Sequence, residues 1–121
     1  MSMPRKTLSL NRAAISAAGP ALSGEAELLA QAIRRKLCIV ATYNRTNMQI
    51  APHILYTRHD DLFVDGVVTL RAGKAPAELK LGTFKLAGLN NISLTAENFA
   101  TQPLYDPADA KYQDATVAKV G

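Results

Sequence analysis

The chain has 121 residues, 48% of them hydrophobic, which is enough for one domain with a single core. Its one cysteine excludes an intrachain disulfide, and no apolar run is long enough to span a membrane. The formal net charge of +4 is weak evidence for nucleic-acid binding, because residues 1–24 carry three basic residues and no acid. Arg5 and Lys6 are not followed by the apolar core of a signal peptide, so we expect a cytoplasmic protein.

The first part of the chain predicts a helix that leads into a strand. Residues 1–22 are expected to be flexible or to hold a short helix. Ser23 is a good N-cap residue, and Leu29, Ile33 and Leu37 recur every four positions, which predicts an amphipathic helix. Residues 37–43 are β-branched and aromatic, which predicts a buried strand. Within that strand Cys38 is interpreted as a small core residue rather than a reactive thiol.

Four more strands are predicted at residues 48–56, 62–68, 79–86 and 92–95. Pro52 belongs at a sheet edge or a bulge, and Gly66 indicates a bulge in the third strand. Alternation in the fourth strand places Lys80, Gly82 and Phe84 on one face. Residues 100–121 are expected to form an irregular tail with one helical turn at 108–112. The pattern predicts one helix followed by a five-stranded barrel.

The order of these elements over residues 32–99 resembles a WYL domain, a module found mainly in bacterial transcription regulators and in phage-defence proteins. The resemblance rests on a strand ending in tyrosine at 39–43, a proline with apolar residues at 51–56, an apolar triplet at 62–64, the segment 84–89, and Phe99. The family's tryptophan corresponds to Leu62, and two of its arginines to Gly82 and Gly88. The resemblance implies an Sm-like (SH3-like) β-barrel with an N-terminal helix over residues 23–99.

The resemblance also implies a stand-alone ligand-sensing or nucleic-acid-associated regulatory accessory module. Single-stranded nucleic acid or a nucleotide-like effector is the ligand class that it suggests. The ligand-binding residues predicted here are Lys85, Arg71, Tyr43, Phe63 and His53. Replacement of Lys85 by alanine is expected to weaken the binding of single-stranded oligonucleotides.

Other interpretations of the same residues remain open. Lys85, Lys80 and Arg71 are either the remains of an anion-binding face or solvated surface cations, and alternation puts the two lysines on opposite faces. Tyr43 and Phe63 either stack a base or pack in the core.

A different class of function is also compatible with the sequence. The barrel would then be a protein-interaction or oligomerisation module with a vestigial ligand groove. Pro52 would mark an edge strand, and the partner would be a second copy or a regulatory protein. No catalytic constellation is recognised, so we predict neither an enzyme nor a cofactor. His59, Asp60 and Asp61, with His53, are compatible with a metal site, but a hairpin turn explains the first three better.

Overall fold

The computed structural model describes residues 24–121, so the expected N-terminal segment 1–22 and the N-cap Ser23 lie outside the described residues. The elements are helix α1 (Gly24–Arg35) and strands β1 (Leu37–Tyr43), β2 (Thr46–Arg58), β3 (Asp61–Arg71), β4 (Leu81–Lys85), β5 (Leu89–Asn98) and β6 (Thr116–Lys119). Two 3₁₀ turns lie at Leu86–Gly88 and Ala110–Tyr112. The helix and the first strand begin where the sequence predicts them.

The strands form one antiparallel sheet in the order β4-β3-β2-β1-β5, with β6 paired to β2 outside this path. The predicted mainly-β fold with one leading helix is confirmed. Two details are wrong: the sheet has six strands rather than five, and among the described residues β4 and β5 do not pair to close a barrel. The sixth strand lies in the segment that was predicted to be an irregular tail, although the helical turn expected there is present.

Strand β2 is the centre of the sheet because it has 13 residues and reaches three partners. Its first part pairs with β1, its last part pairs with β6, and β3 pairs along most of its length. Pro52 faces Gly66 and Ile54 faces Asp65, so His53 is one extra residue that forms a bulge on β2. Pro52 is therefore at a bulge in a central strand and not at an edge, and the extra residue opposite Gly66 lies on β2. A second register shift leaves Thr69 as an extra residue on β3.

The bulge explains why position 66 is a glycine. A Cβ atom there would lie 2.8 Å from the carbonyl oxygen of Ala51 and 2.8 Å from the Cγ2 of Ile50. The neighbouring hairpin turns use positive φ angles, as two-residue hairpins require, at Asn44 and Arg45 and again at His59 and Asp60. The interpretation of His59 and its neighbours as a hairpin turn is confirmed.

The core lies between α1 and the sheet. Leu29 and Ile33 of the helix are completely buried, as the apolar stripe predicts, and the helix contacts β1, β2, β5 and β6. The C-terminal segment completes this core with four buried side chains, those of Tyr105, Tyr112, Ala118 and Val120. Within residues 24–121, no helix has the length and apolar character that a bilayer crossing requires.

Candidate functional site

A surface cleft opens where β3 extends beyond β4. The two strands pair from Phe63 and Lys85 as far as Val67 and Leu81. Beyond the end of β4, β3 continues to Arg71 while still paired with β2. The cleft has a volume of about 410 Å³, and its lining residues are Val68, Arg71, Pro76, Ala77, Glu78, Lys80, Gly82 and Phe84. We call it the β3–β4 cleft.

Backbone hydrogen bonds fix the start of the loop 72–80, which forms one wall of the cleft. The amide of Arg71 donates to the carbonyl of Lys74 at 2.8 Å, and the amide of Lys74 donates back to the carbonyl of Arg71 at 3.0 Å. The amide of Ala72 donates to the carbonyl of Asn47 in the β1–β2 hairpin at 2.8 Å. The loop is therefore tied to the sheet at its first residues, next to the Arg71 side chain.

The floor of the cleft is apolar and includes the ring of Phe84. Gly82 lies beside this ring, and a Cβ atom at Gly82 would come within 3.2 Å of it. The Phe84 side chain is buried, with 6% of its surface exposed, so only a small part of it borders the cleft. Behind Phe84, the ring of Tyr43 meets it edge-on at a centroid distance of 5.2 Å. Lys80, Gly82 and Phe84 all line the cleft. Gly82 and Phe84 lie two positions apart in β4, whereas Lys80 precedes the strand.

The rim of the cleft carries unpaired positive charge. Arg71 and Lys80 are both exposed, and within residues 24–121 neither has a carboxylate partner. Lys74, in the same loop, is exposed and also has no such partner in this part of the chain. Among residues 24–121, Glu78 is the only acidic residue that lines the cleft. Two cations above an apolar floor are suited to hold an anion that also has a flat apolar part.

Lys85 lies in a different and more acidic environment. It lines a smaller cleft of about 270 Å³ together with Glu25, Asp60 and Asp61. Its Nζ atom is 3.3 Å from Oδ2 of Asp61, and both side chains are about half exposed. A cation that is surrounded by carboxylates is less able to attract an anion.

Only one of the five predicted ligand-binding residues, Arg71, lines the β3–β4 cleft. Phe63 is the register partner of Lys85, and its ring stacks against Tyr56 at 6.2 Å between centroids. Tyr43 is partly buried and packs edge-on against the ring of Phe84. The structure therefore brings Lys85 and Phe63 together but separates both from Arg71.

His53 lies in the interior at the β2 bulge. It is completely buried, its Nδ1 is 2.8 Å from the carbonyl of Ala51, and its Nε2 accepts a hydrogen bond from the amide of Gln102 at 3.0 Å. The ring packs against Phe99 and Tyr105. Burial lowers the pKa of His53 below its usual value of 6.5. Both ring nitrogens are used within the protein, so in this structure His53 holds the C-terminal segment and faces no cleft.

A buried polar cluster, which the sequence analysis missed, holds the same segment; we call it the Asp65 cluster. Asp65 is completely buried and accepts hydrogen bonds from the hydroxyls of Tyr56 at 2.7 Å and Tyr112 at 2.5 Å. Lys111 places its Nζ atom 2.7 Å from Oδ2 of Asp65. The one available signal was the position of Asp65, an acid within an apolar strand.

The Asp65 cluster keeps its carboxylate charged. Burial by itself would raise the pKa of Asp65, but hydrogen bonds from Lys111, Tyr112 and Tyr56 outweigh burial and lower it below 3.8. The pKa values of Tyr56 and Tyr112 are raised by burial and by their bonds to this carboxylate. Every member of the cluster has a partner, so we assign it a structural role.

The remaining candidates offer less chemistry. Another cleft, of about 480 Å³ over β1 and the start of β2, is lined by Val40, Gln49, Asn91 and other uncharged residues, so its lining offers no cation to an anionic ligand. In the part of the chain that the structure describes, no three His, Cys, Asp or Glu side chains are grouped as metal ligands. Cys38 is buried, as predicted, and burial raises the pKa of its thiol.

Comparisons of the chain with protein-family models, with curated proteins and with solved structures found no match. The function is therefore argued from the geometry and charge of the β3–β4 cleft.

Proposed function

We propose that the chain is a WYL-like ligand-sensing or nucleic-acid-associated regulatory accessory module that binds its ligand in the β3–β4 cleft. The ligand class is single-stranded nucleic acid or a nucleotide-like effector. The observation that carries the proposal is that Arg71 and Lys80, without carboxylate partners in the described part of the chain, flank an apolar floor that includes the Phe84 ring.

The chemistry of the cleft matches the two parts of a nucleotide. A phosphate is held best by the planar fork of arginine and by the point charge of lysine. A base can lie on an apolar or aromatic surface without reading its sequence. The volume of about 410 Å³ is within the range of roughly 300–1,000 Å³ that is usual for small-ligand sites. The cleft is therefore of the size expected for one nucleotide unit.

The fold and the buried cysteine support the rest of the proposal. A leading helix and the consecutive antiparallel strands β1–β5 are the elements that the resemblance to an Sm-like (SH3-like) barrel implies. Cys38 is a reduced, buried thiol, which suits the reducing environment of the cytoplasm. We infer a cytoplasmic protein that acts in transcription regulation through a bound effector or a partner.

The proposal is tested by fluorescence anisotropy with labelled single-stranded oligonucleotides of about 12 nucleotides. We expect the wild-type chain to bind them, with an affinity that falls between about 50 mM and 200 mM salt because phosphate contacts release counterions. Arg71→Ala and Lys80→Ala should each raise Kd about tenfold, the value of one charged hydrogen bond. No binding at low salt would remove this proposal.

Lys85→Ala is the matched control, because it deletes one lysine from the same strand region outside the β3–β4 cleft. The ion pair with Asp61 makes Lys85 a weaker anion site, so we expect less than a threefold change in Kd, within the small value of an exposed charge. An equal or larger loss in Lys85→Ala than in Lys80→Ala would place the ligand in the smaller cleft that Lys85 lines and not in the β3–β4 cleft.

The alternative, a protein-interaction or oligomerisation module, is favoured by one observation. In the described part of the chain, β4 pairs only with β3 and β5 only with β1, so each has an open edge. Open edges can pair with a strand of a second copy or of a regulatory partner. Light scattering that shows a stable dimer or ring, with no response to oligonucleotide, would favour this function over ligand binding.

A further inference from the structure

Glu78 introduces an electrostatic conflict into a cleft that is otherwise suited to an anion. It is exposed, it lines the cleft with Arg71 and Lys80, and within residues 24–121 it has no ion-pair partner. A carboxylate repels a phosphate that comes close to it. A bound nucleotide must therefore direct its phosphate toward the two cations and a different part of itself toward Glu78.

The part that faces Glu78 must donate hydrogen bonds, because an ionised carboxylate only accepts them. Cytosine, adenine and guanine each carry an exocyclic amino group that donates, and Asp or Glu commonly accepts from the amino group of cytosine. Thymine and uracil carry carbonyl oxygens on both sides of their single ring N–H, and a carboxylate repels those oxygens. In a single strand these base edges are free to be read.

We propose that Glu78 is a specificity-determining residue that makes the β3–β4 cleft prefer bases with an exocyclic amino group over thymine and uracil. This inference rests on the proposed function, since it assigns a base preference to the same cleft. Arg71 and Lys80 supply affinity that does not depend on sequence, and Glu78 supplies the discrimination between bases.

The test compares oligodeoxycytidylate with oligodeoxythymidylate, each of about 12 nucleotides, by fluorescence anisotropy at low salt. The wild-type chain should bind the cytidine oligomer about tenfold more tightly, the discrimination of one good base contact. In Glu78→Ala the cytidine oligomer should lose affinity while the thymidine oligomer gains it, so the ratio of the two Kd values approaches one. Glu78→Gln should also reduce the ratio, because a neutral amide both donates and accepts.

Glu97→Ala is the matched control, because Glu97 is an exposed acid on β5 outside the cleft. It changes the net charge by the same amount as Glu78→Ala, so it should shift both affinities equally and leave their ratio unchanged. Absence of binding to both oligomers would overturn the proposed function. Binding with equal affinities in the wild type, or with a ratio that Glu78→Ala does not change, would overturn the role of Glu78 and leave the cleft as a nucleotide site.

Discussion

Among the described residues, the buried side chains of His53 and Asp65 differ in charge: the imidazole is neutral and the carboxylate is ionised. His53 is neutral because burial disfavours its cation and because its Nε2 must accept from the amide of Gln102. The Nδ1 proton therefore points to the carbonyl of Ala51. Asp65 is ionised because three donors compensate for the loss of water. Both residues connect the C-terminal segment to the sheet, so their titration is linked to folding.

We expect acid to destabilise the protein in two separate pH windows. The pKa of folded His53 lies below 6.5, so the unfolded chain binds a proton first and stability falls as the pH drops below about 6.5. The pKa of folded Asp65 lies below 3.8, so its contribution is complete above that value and is lost as the pH falls through the folded pKa. The measurement is the free energy of unfolding in urea as a function of pH.

His53→Gln should remove the upper window, whereas His59→Gln, a change in an exposed turn, should leave both windows in place. NMR titration of the His53 ring in the wild type gives the pKa directly. A His53 pKa at or above 6.5 would contradict this prediction.

Among the elements, those with a strong local pattern could be predicted from the sequence. Strand β1 is found at the predicted residues 37–43, because its β-branched and aromatic run is unambiguous. Strand β6 was missed because it has only four residues and is defined by its pairing with β2, a contact between distant parts of the chain. An open sheet and a closed barrel have the same local pattern, so closure could not be predicted.

The residues of the candidate site could likewise be predicted only where a local pattern determines their position. Strand alternation placed Gly82 and Phe84 on the same face, because both lie in β4, but Lys80 precedes the strand, where its period does not apply. The ion pair between Lys85 and Asp61 could not be foreseen, since it joins β4 to the start of β3. The start of the loop 72–80 is held by a hydrogen bond from the amide of Ala72 to the carbonyl of Asn47 in β2, a contact between distant parts of the chain that the local sequence does not predict.

The bulge between β2 and β3 leads to a prediction at position 66. Gly66→Ala should destabilise the protein by about 2 kcal/mol, because the new methyl group overlaps backbone that is held in the sheet. Gly24→Ala is the control, since none of the described residues lies within 4 Å of a Cβ atom there and alanine favours a helix. Urea denaturation measures both variants. Equal stability of Gly66→Ala and the wild type would show that the bulge tolerates a side chain.

On the scale of the whole molecule, the C-terminal segment is part of the folded domain. Tyr105 and Tyr112 are buried against His53 and Tyr56, and β6 extends the sheet beside α1. Much of the segment from 100 to 109 is exposed, but Gln102 and Tyr105 within it contact His53. Further anchoring contacts follow at Lys111 and Tyr112. A chain that ends at Phe99 would leave Asp65 buried without Lys111 and Tyr112.

Removal of residues 100–121 should therefore cost more than about 4 kcal/mol, the range expected for the loss of buried aromatic side chains. This is a large part of the roughly 5–15 kcal/mol that stabilises a typical domain, so we expect no cooperative thermal transition by circular dichroism. Removal of Gly121 alone, an exposed residue, should leave the melting temperature unchanged. A truncated chain that melts like the wild type would restore the interpretation of this segment as a tail.

Strand β2 joins both ends of the described chain into one sheet. The loop 72–80, which forms one wall of the β3–β4 cleft, lies outside the paired strands of that sheet. An insertion in β2 would reverse the faces of the residues beyond it and affect β1, β3 and β6 together. An insertion in the loop 72–80 would alter only the wall of the cleft. In descendants of this sequence, the shape and charge of this cleft can consequently drift through changes of loop length and composition while the architecture stays the same.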